Sequence, residues 1–356
     1  MENHHSLFMK ILKSKWTKRA GLVLGSLVFS LLALEALFRI FDPLGAVYHR
    51  EIEVHFRHTV PDPDFGMIHP PNTKGRSQGA DYRINNEGFR GPDIPAQKAP
   101  DEKRLIILGD SIVFSWGVDE DKTFWSLIQQ KLREANRNWR VIPIGILGWN
   151  TRNEYEYMKK RGFELEPDAI LLLILPNDVI ANYWGRSDVP KEKLMPHMFQ
   201  PAPEPKGLAR IGAKLSEWKR AIIRQSYLLI SVQHHIAGMR ASGTIKNSFV
   251  EESPQWQDQK AALLDLIADC KERDIELAVV LHELVDLSDD SYFKSAMKPI
   301  LQAHNIPYTK TPDAVFQLKN YLSIIDNHPN IKGHALMAKA YYDFLTGKSG
   351  IVPDKP

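Results

Sequence analysis

From Arg104 onwards, the chain alternates short apolar runs with amphipathic segments of helical length. The apolar runs cover residues 105–108, 141–146, 169–175 and 275–281. Continuous apolar runs of this length are typical of strands that are buried on both faces, and such strands occur in parallel sheets covered by helices. The alternation therefore predicts an α/β fold of three layers, with a doubly wound parallel sheet in the middle.

The segments between the apolar runs predict the helices that cover the sheet. Amphipathic patterns lie at residues 123–135, 152–161, 256–273 and 332–344. In the first of these segments, Phe124, Leu127, Ile128 and Leu132 share one helical face. We expect each helix to bury such an apolar face against the sheet.

Residues 20–41 form an apolar run that is long enough to cross the hydrocarbon core of a bilayer, which takes about 20 residues of helix. The basic residues that precede it are Lys10, Lys13, Lys15, Lys18 and Arg19. A basic flank favours the cytoplasmic side of a membrane. We therefore expect a cytoplasmic tail at residues 1–19, a transmembrane signal anchor at residues 20–41, and the rest of the chain outside.

A cleaved signal peptide is the alternative to an anchor. The basic flank fits a signal peptide, but the apolar run is longer than the usual core of one, and no small-residue cleavage site follows it. Glu35 is the acidic residue of the run, and Arg39 lies one helical turn further on, where the two can form an ion pair. The other interpretation of Glu35 is a proton site or a contact with a partner.

Two further segments depart from the alternating pattern. Residues 42–100 are rich in proline, glycine, asparagine and histidine, and predict an extended connector with short strands, one of them within residues 82–92. Residues 101–350 are predicted to form the main domain, with a helical insertion at about 185–255. The insertion either shapes a substrate site or only covers the core.

Ser111 is the last residue of a GDS sequence that directly follows the first predicted buried strand. Ligands of parallel α/β sheets bind beyond the carboxyl ends of the strands. A serine hydroxyl is a poor nucleophile unless a base activates it. Near the end of the chain, His328 is a candidate for that base, and Asp326 is close enough in sequence to hold the other ring nitrogen. Asn330 is expected to cap the helix that follows.

Acyl transfer also needs hydrogen-bond donors for the oxyanion that develops during the reaction. Gly148 follows the second strand, and a glycine lets a backbone amide approach a ligand closely. Asn177 follows the third strand and offers a side-chain amide. Trp149, beside Gly148, either stacks on a sugar or acyl chain or belongs to the core. The predicted sheet brings the serine, glycine and asparagine to one edge.

These blocks, in this order, resemble the SGNH hydrolase superfamily, whose members carry serine, glycine, asparagine and histidine in four blocks. The resemblance covers roughly residues 80–345. It implies a flavodoxin-like α/β domain with the activity of a serine esterase or acylhydrolase. It further implies that Ser111 is the nucleophile and that His328 is the base, with Asp326 behind it. The amides of Ser111, Gly148 and Asn177 would form the oxyanion hole.

The GFRG sequence at residues 88–91 resembles bacterial membrane-anchored members of the superfamily. That likeness implies a single-pass protein of the cell inner membrane whose domain faces the periplasm. The expected substrate is an acylated carbohydrate, in particular an O-acetylated envelope or exported polysaccharide, or a lipid ester. An O-acyltransferase with the same relay is one alternative, and a non-catalytic binding or assembly protein is another.

Other partners and cofactors find little support in the sequence. The formal charge of +3 gives no case for nucleic acid. The segment that begins at His282 lacks the second histidine of a zinc-binding helix, and Cys270 is the only cysteine of the chain. We therefore predict neither a metal site nor a cofactor.

Overall fold

The computed structural model describes residues 15–43, 45–62, 64–179, 223, 225–282, 291–323 and 326–353. The chain divides into two compact units, Met1–His49 with Pro205–Ala237, and Arg50–Glu204 with Gly238–Pro356. The first unit contains the N-terminal apolar helix, and the second contains the parallel sheet.

Helices and strands are numbered in chain order. The helices are α1 (Lys15–Phe41), α2 (Ala46–Arg57), α3 (Ser111–Phe114), α4 (Phe124–Glu134), α5 (Thr151–Lys160), α6 (Tyr227–Ser248), α7 (Pro254–Glu272), α8 (Ser291–Ala303) and α9 (Ile331–Asp343). The strands are β1 (Val60–Asp62), β2 (Gly66–Ile68), β3 (Lys74–Ser77), β4 (Ala80–Arg83), β5 (Lys103–Gly109), β6 (Trp139–Gly145), β7 (Ala169–Ile174), β8 (Glu276–Leu281) and β9 (Tyr308–Lys310).

Within the described residues, α1 is the helix that is long and apolar enough to cross a membrane. It has 27 residues, and an 18-residue window of it has a mean hydropathy of 2.1. At a rise of 1.5 Å per residue it is about 40 Å long, which exceeds the hydrocarbon core of about 30 Å. Among the described residues it runs from Lys15 to Phe41 and so includes the whole apolar run at 20–41.

Glu35 of α1 binds two partners. Its carboxylate accepts a hydrogen bond from Nε of Arg39 at 2.8 Å, which confirms the predicted ion pair. The same carboxylate also binds the start of α6: it accepts hydrogen bonds from the Ser226 hydroxyl at 2.7 Å and from the backbone amides of Tyr227 and Leu228 at 3.0 and 3.2 Å. Glu35 therefore caps the N-terminus of a helix that is distant in sequence.

The central sheet has five parallel strands in the order β6-β5-β7-β8-β9. Leu105 in β5 pairs with Val141 in β6 on one side and with Ala169 in β7 on the other. The crossovers run through helices, as parallel strands require. The predicted α/β fold with a parallel sheet is confirmed.

Alternate residues of the strands pack against helices on opposite faces of the sheet. On one face, Ile106 and its equivalents pack with residues of α5, α7 and α8. On the other face, Leu105 and its equivalents pack with residues of α4 and α9. Phe124, Ile128 and Leu132 of α4 are buried there, as their shared helical face predicted. The domain therefore has the three layers expected of strands that are apolar on both sides.

The segment at residues 42–100 has the short strands that were predicted, but it also forms a helix and packs against the core instead of extending as a connector. It contains the helix α2 and two antiparallel hairpins, β1–β2 and β3–β4. Phe65 and Phe89 are fully buried in the core on the α5 side of the sheet. Their burial stabilises a structure that the weak periodicity of the segment does not reveal. From residue 50 onwards, the segment therefore belongs to the same compact unit as the sheet. Most of the predicted insertion, residues 185–222 with residue 224, lies outside the described residues.

Candidate active site

Three of the predicted site residues follow adjacent strands. Ser111 starts α3 directly after β5, Gly148 lies in the loop after β6, and Asn177 lies in a 3-10 turn after β7. Since β5 is hydrogen-bonded to both β6 and β7, the three loops leave the same edge of the sheet side by side. Gly148 has a φ of +79°, a conformation that glycine adopts without strain.

A second glycine lets the loop of β6 lie against the turn that presents the serine. A Cβ atom on Gly145 would lie 2.7 Å from the backbone nitrogen of Phe114 and 2.8 Å from the carbonyl oxygen of Asp110. Any side chain at this position would therefore push the end of β6 away from α3.

The imidazole of His328 bridges the serine and a carboxylate. Its Nε2 lies 2.9 Å from Oγ of Ser111, and its Nδ1 lies 2.6 Å from Oδ1 of the fully buried Asp326. Ser111 and His328 are 217 residues apart in the chain. When Nδ1 carries the ring proton and donates a hydrogen bond to the carboxylate, the lone pair of Nε2 faces the serine and can accept the proton of its hydroxyl.

The loop that carries His328 is held at both ends by backbone hydrogen bonds. The amide of Leu322 donates to the carbonyl of His328 at 2.9 Å, and the amide of Asn330 donates to the carbonyl of Asn320 at 2.8 Å. The Asn330 side chain accepts hydrogen bonds from the amides of Lys332 and Gly333, which confirms the predicted cap of α9. The histidine therefore sits on a short loop fixed to the start of a helix.

Burial and charge act in opposite directions on the pKa of His328. Burial lowers the pKa, whereas the negative charge of Asp326, its hydrogen bond to the ring and the charge of Asp110 raise it. The raising effects prevail, so the pKa of His328 lies above 6.5. The imidazole is therefore a stronger base than that of a free histidine.

Asp110 precedes Ser111 and offers the serine hydroxyl a second hydrogen-bond acceptor. One carboxylate oxygen of Asp110 accepts a hydrogen bond from the amide of Ile112 at 2.9 Å, and the other accepts from the Ser111 hydroxyl at 3.3 Å. Burial raises the pKa of Asp110, while the hydrogen bond from Ile112 and the charge of His328 oppose that rise. Of the two acceptors, Nε2 of His328 is closer to the serine oxygen.

Two more buried carboxyl groups lie near Asp110. Asp178 follows Asn177 and accepts hydrogen bonds from the amide of Leu175 and the hydroxyl of Thr151. Glu154 in α5 is fully buried, and neither of its carboxyl oxygens has a hydrogen-bond partner among the residues that the structure describes. Burial, together with the charges of Asp178 and Asp110, raises the pKa of Glu154 well above 4.5. The environment therefore favours the neutral form of this carboxyl group.

Arg90 holds the segment after the turn that carries Ser111, a role that sequence analysis missed. The guanidinium is buried and donates to the carbonyl oxygens of Phe114 at 3.1 Å and Ser115 at 2.6 Å, and also to that of Val118. Burial lowers the pKa of Arg90 to about 10. In the sequence, Arg90 stands out only as part of the GFRG element at residues 88–91, and the family resemblance implies no role for it.

Two other candidate residues lie away from this relay. Trp149 is buried and its indole Nε1 donates to the carbonyl of Met67 at 3.0 Å, so it belongs to the core rather than to a stacking surface. His282 is buried and forms a hydrogen bond of 2.9 Å with the hydroxyl of Thr311. Burial and the charge of His328 lower the pKa of His282 to about 3, so it is neutral at physiological pH.

Comparison with known proteins finds likeness at the level of three-dimensional structure. No protein-family model matches the chain, and no curated protein sequence matches it either. Similar solved structures include the psychrotrophic esterase EstA from Pseudoalteromonas sp., which is 14% identical with a TM-score of 0.41, over 68% of this chain and 96% of that one.

Two further structures have similar values. The acetyl xylan esterase AlAXEase is 13% identical with a TM-score of 0.41, over 68% of this chain and 100% of that one. TesA is 11% identical with a TM-score of 0.44, over 68% of this chain and 98% of that one.

Proposed function

We propose that this chain is a serine esterase of the SGNH hydrolase superfamily. The observation that carries the proposal is the 2.9 Å contact between Oγ of Ser111 and Nε2 of His328, in a relay closed by Asp326. A serine hydrogen-bonded to an imidazole whose other nitrogen is held by a carboxylate has the three parts of an activated nucleophile. The order of the sequence blocks supports the same family.

In the proposed reaction, His328 removes the proton of Ser111 while the serine oxygen attacks the carbonyl carbon of an ester. The tetrahedral intermediate then collapses, and His328 returns the proton to the departing alcohol. Water, activated by the same imidazole, releases the acid from acyl-Ser111. The carboxylate of Asp326 orients the ring and stabilises the imidazolium that forms in each half of the reaction.

The proposed oxyanion hole consists of the backbone amides of Ser111 and Gly148 and the side-chain amide of Asn177. Its support is the position of the three residues after adjacent parallel strands. Removal of a single oxyanion donor typically costs about 10²–10³ in kcat. We therefore expect Asn177→Ala to lower kcat by a factor in that range.

The proposed substrate is an O-acetyl group on an envelope or exported polysaccharide, with a lipid ester as the second choice. The proposed location is the cell inner membrane, with α1 as a signal anchor and the sheet domain on the periplasmic side. The length and apolarity of α1 and the basic residues before its apolar part support this topology. A polymer outside the cytoplasm is then within reach of the active site.

Labelling with a fluorophosphonate probe tests the proposal. The probe should react with the wild type and fail to react with Ser111→Ala. Ser126→Ala, which alters a serine on the partly buried side of α4, serves as the matched control and should label normally. Circular dichroism should show that all three proteins are folded. A folded wild type that does not react would favour a non-catalytic binding protein.

The acceptor of the acyl group distinguishes hydrolysis from transfer. A chromogenic acetyl ester should be turned over at the same rate with and without an oligosaccharide, and free acetate should equal the chromogenic alcohol released. Acetyl groups found on the oligosaccharide would identify an O-acyltransferase that uses the same relay.

A further inference from the structure

The start of α6 combines an unusual cap with an exposed apolar stripe. Glu35 of the apolar helix α1 accepts hydrogen bonds from the first two backbone amides of α6, Tyr227 and Leu228. Helix N-terminal amides have no partner within their own helix. In or near a bilayer, water cannot satisfy all of them, and an unsatisfied amide is costly. This cap therefore explains why an acidic residue, Glu35, lies within an apolar run.

This cap fixes the level at which α6 begins. Glu35 lies six residues before the end of α1 at Phe41, which corresponds to about 9 Å along a helix. If α1 spans the membrane as proposed, that level is near its outer boundary. Arg39 and Tyr227 are in cation–π contact at 5.1 Å, a pair of side chains that suits the membrane–water interface.

The first turns of α6 carry apolar side chains on two different faces. Leu229, Val232 and Ile236 are each 42% exposed and follow one another at spacings of three and four residues, so they form one stripe. Ile230 and Ser231 are buried and point in other directions around the helix. The side of α6 that is buried in the protein is therefore not the side that carries the stripe.

We propose that Leu229, Val232 and Ile236 of α6 form a lipid-binding stripe that lies in the outer interface of the membrane that α1 spans. The proposal rests on the membrane anchoring proposed above. Lipid is the occupant because Glu35 ties the stripe to the outer end of an apolar helix that is itself exposed along its length. Apolar faces of interfacial helices enter the boundary between headgroups and acyl chains by about 5–10 Å.

Single-cysteine labelling of the full chain in vesicles tests the stripe. An environment-sensitive fluorophore is placed at Leu229→Cys, at Ile236→Cys and, as matched control, at the exposed His235→Cys, which lies about 100° or more around the same helix from both positions. The vesicles contain phosphatidylcholine and phosphatidylglycerol, with or without nitroxide-labelled phosphatidylcholine as quencher. Cys270 is buried, and burial raises the pKa of its thiol to about 12, so the wild type serves as the labelling blank.

Labels at positions 229 and 236 should be quenched at least about twofold more than the label at 235, because the stripe would lie within about 10 Å of the headgroup–acyl boundary. Equal quenching at the three positions would overturn the proposal. The proposal would also be overturned if the stripe labels reported an apolar environment only at higher protein concentration and were not quenched by the lipid. That result would identify a protein partner.

A fourth label, at Leu27→Cys in α1, separates the stripe from the anchor. Quenching at position 27 without quenching at 229 and 236 would reject the stripe and leave the anchor standing. No quenching at any position would reject both. Ester hydrolysis is measured on the same samples, so a failure of the esterase proposal is seen independently of either result.

Discussion

At the level of single residues, Asp326 sets both the orientation and the base strength of His328. The 2.6 Å contact fixes which ring nitrogen faces Ser111, and the negative charge is the leading contribution that raises the pKa of the imidazole above 6.5. A base must be deprotonated to accept the serine proton. Activity of the wild type should therefore fall as the pH drops through a value above 6.5.

The substitution Asp326→Asn removes the charge and keeps the shape of the side chain. We expect kcat to fall by about 10³–10⁴, because the amide favours the wrong tautomer of the histidine. Without the charge, burial lowers the pKa of His328, so the acidic limb of the pH profile should move to lower pH. Steady-state kinetics between pH 5 and 9 measures both effects. An unchanged acidic limb would show that His328 is not the titrating base.

Glu154 provides a second pH-dependent test, on stability rather than on activity. Burial and the charges of Asp178 and Asp110 raise its pKa in the folded protein, whereas the unfolded chain titrates near 4.5. The folded state therefore holds a proton that the unfolded state releases above pH 4.5. The contribution of this group to the free energy of unfolding is greatest below that pH and declines as the pH rises towards the folded pKa.

The variant Glu154→Gln mimics the protonated acid and does not titrate. Relative to the wild type, its free energy of unfolding should increase between pH 5 and pH 8, at up to about 1.4 kcal/mol per pH unit. Urea unfolding at both pH values measures the difference, and Glu164→Gln alters an exposed carboxylate in the same region as a control. The same difference between wild type and variant at both pH values would show that Glu154 is already ionised.

At the level of elements, the segment that follows the β3–β4 hairpin supports the candidate active site through Arg90. Its guanidinium reaches carbonyl oxygens between 24 and 28 residues further along the chain, in the segment that follows α3. Arg90→Met would leave these buried acceptors unsatisfied, at about 1–3 kcal/mol each. We expect the free energy of unfolding to fall by about 3 kcal/mol or more, and esterase activity to fall with it.

Arg83→Met is the matched control for Arg90→Met. Arg83 lies in the same segment, but its ion pair with Glu120 is half exposed, so the loss should stay within about 1 kcal/mol. Chemical denaturation compares the two variants. Equal stability losses would mean that the buried contacts of Arg90 do not hold the segment.

The strands that are apolar throughout were predicted to within a few residues, because continuous burial leaves a direct trace in the sequence. The strand β9 was missed because it has three residues, none of them fully buried. The helix α2 was missed because its segment was assigned to a connector on composition. The relay residues could be chosen as candidates from the sequence because Ser111 follows a predicted strand, whereas Asp326 and His328 precede a predicted helix. Arg90 and Glu154 could not, since their roles depend on contacts between distant segments.

At the level of the whole molecule, α1 should keep the mature protein in the membrane. After expression in bacteria, the full chain should remain in the membrane fraction during extraction with alkaline carbonate and should retain its N-terminal residues by intact mass. Protease added outside the inner membrane should digest the sheet domain. A soluble protein that begins after residue 41 would instead identify the segment as a cleaved signal peptide.

The central claim is that Ser111 carries the acyl group during turnover. The most direct measurement is mass spectrometry of peptides from the enzyme, quenched with acid during the turnover of an aryl acetate. We expect one acetyl group on the peptide that contains Ser111, and its loss in Ser111→Ala. Turnover by the wild type with the acetyl group on another residue, or undiminished turnover by Ser111→Ala, would contradict it.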